Sequence, residues 1–157
     1  MRLQLPLDVV ERLTRALRIA GRREIGGVLM GEQTGTDEFQ IADFSLDAKT
    51  GSAAHFVRTP EEHQAALDAF FERTGHDYKR YNYLGEWHSH PSYSTRPSLE
   101  DIWSMERLVN GENSIDFAVL VIVRHGFFKG FEATAYLFAK GRPPRPIQLR
   151  WRKVQFI

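Results

Sequence analysis

Apolar residues in the first third of the chain follow two rhythms. Across residues 7–20, LDVVERLTRALRIA, they fall at Val9, Val10, Leu13, Ala16, Leu17 and Ala20. Recurrence every three or four residues gathers them into one stripe of a helix. Pro6 and Asp8 suit its start and Gly21 its stop. In a chain of this size the stripe reads as a core face rather than a membrane-binding one. The next segment, EIGGVLMGE at 24–32, carries the continuous run Val28-Leu29-Met30. That run predicts a short buried strand whose glycines admit close backbone approach. In EFQIADFSL at 38–46, Phe39, Ile41 and Phe44 mark a second strand, and the small residues of 47–54 a loop.

Thr59-Pro60-Glu61-Glu62 is a helix opening, with a capping threonine, proline in the first turn and a glutamate to complete a capping box. Ala65, Ala66, Ala69 and Phe70 extend that helix to about Arg73, before Gly75 and Asp77 end it. Residues 81–87 read as a strand, and prolines 91 and 97 as a rigid irregular connection. A third helix runs from Ser98 through Ile102, Met105, Leu108 and Val109 to Asn110-Gly111. FAVLVIV at 117–123 predicts a central strand. Residues 127–139 supply another, bent near Gly130, and stiff RPPRP precedes the terminal strand candidate IQLRWRKVQFI. The order predicts a compact mixed α/β sandwich forming one domain over 1–157. Strand order is not contained in the pattern.

Composition narrows the function. The 157 residues are 42% hydrophobic and 26% charged, an ordinary globular balance. Lys plus Arg number 21 against 20 acidic residues, so bulk charge does not drive this chain onto nucleic acid. From Arg124 to Ile157, however, eight basic residues face one acidic residue, interleaved with aromatics. A solvated basic surface is the first reading of that region, an acidic protein partner the second and nucleic acid the last. Cysteine is absent, which removes disulfides, Cys-ligated zinc, iron–sulfur centres and a thiol nucleophile. Any metal must be held by nitrogen and oxygen. No run approaches the roughly 18 apolar residues of a membrane span, and the start lacks a secretory signal. The expectation is a cytoplasmic protein with no membrane contact.

Chemistry concentrates in His88-Ser89-His90-Pro91 and Ser98-Leu99-Glu100-Asp101. Two histidines two residues apart on extended backbone point to the same side and can meet one ion. Asp101 can add an oxygen ligand, leaving a fourth position for water, as in catalytic rather than closed structural zinc sites. Alone, His-Ser-His reads first as a surface turn, and Ser98 with Asp101 equally as a capping box. The readings coexist if Ser98 caps while Asp101 sits in the first turn, where the helix dipole favours an anion. Hydrolysis also needs a base. Glu24, beside the buried strand, is the leading candidate; Glu86 shares the strand face of His88 and stays in competition.

These residues together resemble the Jab1/MPN, or JAMM, metalloprotease family: a distant glutamate, His-Ser/Thr-His-Pro, a serine after seven further residues and an aspartate three beyond it. Glu24, His88, Ser89, His90, Pro91, Ser98 and Asp101 match. The resemblance implies a cytidine-deaminase-like mixed-sheet core flanked by helices. It also implies Zn2+ held by His88, His90 and Asp101. Glu24 would then act as acid/base, and Ser98 as a hydrogen-bond partner of active-site water or the oxyanion. Ser89 is expected to support local geometry and not to act as a nucleophile.

The activity implied is zinc-dependent isopeptide or peptide hydrolysis after the C-terminal tail of a ubiquitin-like conjugate. The compact chain looks most like the stand-alone bacterial deconjugases of phage-defence operons, whose conjugated partner is a nucleotidyltransferase related to cyclic-nucleotide synthases. Processing of a sulfur-carrier precursor is the enzymatic alternative. A noncatalytic metal-containing protein- or nucleic-acid-binding module is the alternative of another class. A tail can be held by pairing with an exposed strand edge, with Phe56, Tyr78, Tyr81 and Tyr93 as candidate contacts.

Overall fold

The computed structural model describes residues 1–47, 60–111, 115–126 and 128–151. Its elements run β1 (Arg2–Gln4), α1 (Leu7–Ala20), β2 (Gly26–Gly35), β3 (Glu38–Phe44), α2 (Pro60–Arg73), β4 (Tyr81–Ser89), α3 (Leu99–Asn110), β5 (Phe117–Gly126), β6 (Gly130–Ala139) and β7 (Arg145–Arg150). Helix α1 buries the six residues whose spacing predicted it, and ends where the Gly21 amide donates to the Leu17 carbonyl at positive φ. Thr59 and the side chains of Glu61 and Glu62, and with them the expected capping box of α2, lie outside the described residues. So do Phe56, most of the 47–54 loop and 152–157 of the terminal strand candidate.

The mixed α/β class is as expected, and the sheet closes on itself in the order β1-β3-β2-β4-β5-β6-β7. Closure depends on β1, which pairs in parallel with both β3 and β7. An edge-bound tail therefore has no outermost strand to join among the described residues. Strand β5 is buried on both faces. Val119, Val121 and Val123 join the cluster covered by α1, while Ala118, Leu120 and Ile122 join Met105 and Val109 of α3.

Strands β4 and β5 are parallel and joined through α3. That crossover places the N-terminus of α3 at the carboxyl end of β4, a usual place for ligand chemistry in such units. Alternation along β4 then sends Trp87 into the α1-side cluster, where its Nε1–H donates to the Ser45 carbonyl at 2.8 Å. His88, paired with Ile122, lies on the α3 side. Gly26 faces His88 across the β2–β4 ladder. A Cβ added there would lie 2.4 Å from the Trp87 carbonyl oxygen and 2.9 Å from the His88 Cβ. Gly26→Ala is expected to destabilise the fold by about 1–3 kcal/mol and to weaken metal retention, because the displaced segment carries His88. Thermal melting and metal analysis check both. An unchanged melting temperature would show that β2 can slide away at no cost.

Candidate metal centre

Strand β4 carries one residue pair further than the 81–87 of the sequence reading, so His88 and Ser89 belong to the sheet. Pairing by the backbone explains the extension. The Ser89 amide donates to the Ile25 carbonyl at 2.9 Å, the Ile25 amide to Ser89 Oγ at 3.0 Å, and the His90 amide to the Val123 carbonyl at 3.0 Å. Ser89 is fully buried in this role. The same bonds bring Glu24, which precedes Ile25, beside the His-Ser-His segment.

His88, His90 and Asp101 converge on one point and form a group able to hold a metal ion. The two Nε2 atoms are 3.0 Å apart; Asp101 Oδ1 lies 3.3 Å from His88 Nε2, and Oδ2 lies 3.3 Å from His90 Nε2. Ligand bonds of ~2.0–2.1 Å at tetrahedral angles put neighbouring donor atoms about 3.3–3.4 Å apart. Each of the three contacts is close to that spacing, with the two histidines facing different oxygens of the Asp101 carboxylate. Nδ1 of His90 is 2.7 Å from the Ser94 carbonyl, to which it can only donate, so Nε2 of the neutral ring presents its lone pair to the shared point. Two nitrogens and one carboxylate, buried or nearly so, suit a borderline cation.

Asp101 belongs to two structures at once. Ser98 is the N-cap of α3: its Oγ accepts from the Asp101 amide at 3.1 Å, and its own amide donates to Asp101 Oδ2 at 2.7 Å. The capping reading of this pair holds, and it leaves the Asp101 carboxylate facing both histidines. Ser98 is exposed, and its hydroxyl hydrogen is still available to donate.

Of the two candidate bases, Glu24 is tied to the trio through Tyr93. It is 4% exposed, and Tyr93 Oη donates to its Oε1 at 2.5 Å. The Tyr93 ring stacks on His90, with centroids 4.3 Å apart. Glu86 shares the α3-facing side of β4 with His88 by register, as alternation predicts. Among the tyrosines offered as tail contacts, Tyr78 packs on Phe71 and His76, and Tyr81 on Phe70. Tyr93 lies against the site while staying 41% exposed, which its place in a Ser- and Pro-rich loop did not reveal.

Burial opposes charge on Asp101, but hydrogen bonds from His88 and His90 and the Ser98 amide outweigh it and hold the carboxyl well below the usual range. Burial likewise opposes a charged His90. Its hydrogen bonds to Asp101 and Ser94, with the negative charges of Asp101 and Glu24, overcome that and raise it. Burial first, then the bond to Glu24, pushes the Tyr93 phenol upward. A raised His90 stabilises the metal-free fold below the unfolded histidine value, and that contribution is lost as pH climbs through the folded one. The lowered Asp101 contributes above its unfolded value and is lost only as pH falls towards the folded one. Metal-free protein is therefore expected to be most stable in mild acid. Metal must displace the His90 proton, so affinity should fall about tenfold per pH unit once the imidazolium dominates, starting above the ordinary 6.5. Melting curves against pH, with and without zinc, test this; an optimum that zinc leaves in place would contradict it.

No helix among the described residues is long and apolar enough to cross a membrane. A protein from Desulfitobacterium hafniense, solved in solution, shares the fold at TM-score 0.68 and 22% identity, over 98% of this chain and 95% of the other. A Vibrio cholerae protein named CD-NTase/cGAS isopeptidase is 31% identical over 110 residues, 68% of this chain and 66% of the relative. The match thus spans slightly less than two thirds of that relative's length. The family model described as prokaryotic homologs of the JAB domain matches residues 6–138, which takes in the whole of the site, and the chain belongs to that family.

Proposed function

We propose that this protein is a zinc-dependent isopeptidase that cuts the bond after the C-terminal tail of a ubiquitin-like conjugate, releasing a cyclic-nucleotide synthase from its targets in antiphage defence. The observation that carries the reading is the convergence of His88, His90 and Asp101 on one point, with Glu24 buried beside them. The isopeptidase name of the Vibrio cholerae relative supports the substrate class.

His88, His90 and Asp101 would hold the metal. When bound, zinc supplies Lewis-acid polarisation of the scissile carbonyl and makes the attacking water more acidic. Glu24 takes the proton of that water and later delivers it to the departing lysine amine. The Ser98 hydroxyl donates to the oxygen on which negative charge develops. His90 keeps its orientation through the Ser94 carbonyl, and the buried floor formed by Ser89 and Ile25 keeps base and ligands in register.

The test uses the zinc-loaded protein and two probes. One is a cyclic-nucleotide synthase joined through its C-terminal carboxylate to a reporter lysine; the other is a ubiquitin-fold sulfur carrier with a peptide-linked reporter. Release of the first reporter is the expected result. Release of the second alone would replace this reading with precursor processing. Release of neither by protein that holds zinc would reject the peptidase and favour a noncatalytic metal-containing module.

A further inference from the structure

We propose that Tyr93 is a positioning residue for the base, anchoring one oxygen of Glu24 so that the other faces the reacting water. The inference rests on the isopeptidase reading and adds a residue to it. A glutamate has three side-chain torsions, and a general base that swings among rotamers loses the alignment on which proton transfer depends. Tyr93 removes that freedom. Its hydroxyl donates to Oε1 at 2.5 Å, leaving Oε2 for the water.

The tyrosine is itself held. Its ring stacks on His90 at 4.3 Å, with 30° between planes. Its carbonyl accepts from Arg124 Nη1 at 3.1 Å, and Arg124 Nε donates to Glu132 at 2.9 Å. Two residues on, the Thr95 carbonyl accepts from Thr134 Oγ1 at 2.5 Å. Between these anchors the Ser94 carbonyl orients His90. One short segment, 93–95, thus sets the base and a metal-binding imidazole from strands β5 and β6. Arg124 and Glu132, from the basic C-terminal region, serve as the brace.

The protons balance without Tyr93 giving one up. The water proton passes to Glu24 Oε2, the phenol keeps its own, and the Glu24 proton leaves for the amine nitrogen. The amine nitrogen gains that proton as the C–N bond breaks, so it leaves as the neutral amine and the carboxylate is restored.

Tyr93→Phe keeps the stacked ring and deletes only the hydroxyl. On the synthase–reporter conjugate, kcat is expected to fall about 10–100-fold with KM within twofold and zinc content unchanged. Arg124→Ala, which loosens the brace but leaves the hydroxyl, should lower kcat less. A tyrosine that merely touched the tail would raise KM and spare kcat, and one that blocked the site would raise kcat when changed. Either result overturns the assignment, as does loss of zinc from Tyr93→Phe. Glu24→Gln in the same assay separates the two levels. If it still turns over, the parent mechanism fails; if it is dead while Tyr93→Phe keeps its kcat, only the role of Tyr93 does. A wild-type protein that cleaves nothing fails both.

Discussion

Glu24→Gln is expected to lose turnover by about 10²–10⁴-fold, the range attributed to a positioned acid or base, while holding zinc and folding as before. The amide is nearly isosteric, and its carbonyl oxygen can still accept from Tyr93 at the position now taken by Oε1. It cannot take a proton from water at neutral pH. Glu24 is not among the converging ligand atoms, so metal content should not change. Nor should the melting temperature drop, since a neutral side chain replaces a charge in a site that is 4% exposed. Metal analysis with single-turnover kinetics decides the case. If the variant loses metal and regains full activity when zinc is restored, Glu24 supports the site without serving as its base.

The helices were legible because each carries its own signal. The α1 stripe, the α3 cap and the glycines at their ends are local features, and the structure keeps those boundaries to within a residue or so. Strand β1 was not legible. Three residues hold too little periodicity to register, and they become a strand only through β3 and β7, which lie far away in sequence. Strand β7 begins at Arg145, inside the stretch read as a stiff connection, because Pro146 sits where the pairing with Tyr136 tolerates it. The site divides in the same way. The spacing of the converging His-His-Asp group is a local pattern and was visible. The adjacency of Glu24 to His90 depends on the bonds between Ile25 and Ser89 across the sheet, so spacing alone left Glu86 in competition. Tyr93 was visible only as an aromatic in an irregular loop, and nothing in that context says which way such a ring turns.

Asp101 offers the sharpest separation of folding from chemistry, because its carboxylate both completes the cap of α3 and faces His88 and His90. Asp101→Asn keeps a carbonyl oxygen for the Ser98 amide but presents a neutral, weaker ligand beside two imidazoles. Zinc affinity should fall more than about 100-fold, beyond the usual cost of disturbing a residue that only supports a ligand, while the metal-free protein keeps the α3 cap and loses only what the charged carboxylate gains from the two imidazoles. Ser98→Ala does the reverse: it deletes the N-cap acceptor, which costs about 0.5–2 kcal/mol, and leaves all three ligand atoms in place. It should melt a few degrees lower yet still fill with zinc, and any loss of kcat then reports the missing hydroxyl donor at the developing oxyanion. Asp101→Ala should show both defects. If Asp101→Asn binds zinc like wild type, the carboxylate belongs to the cap alone, and the two histidines must find their third ligand elsewhere.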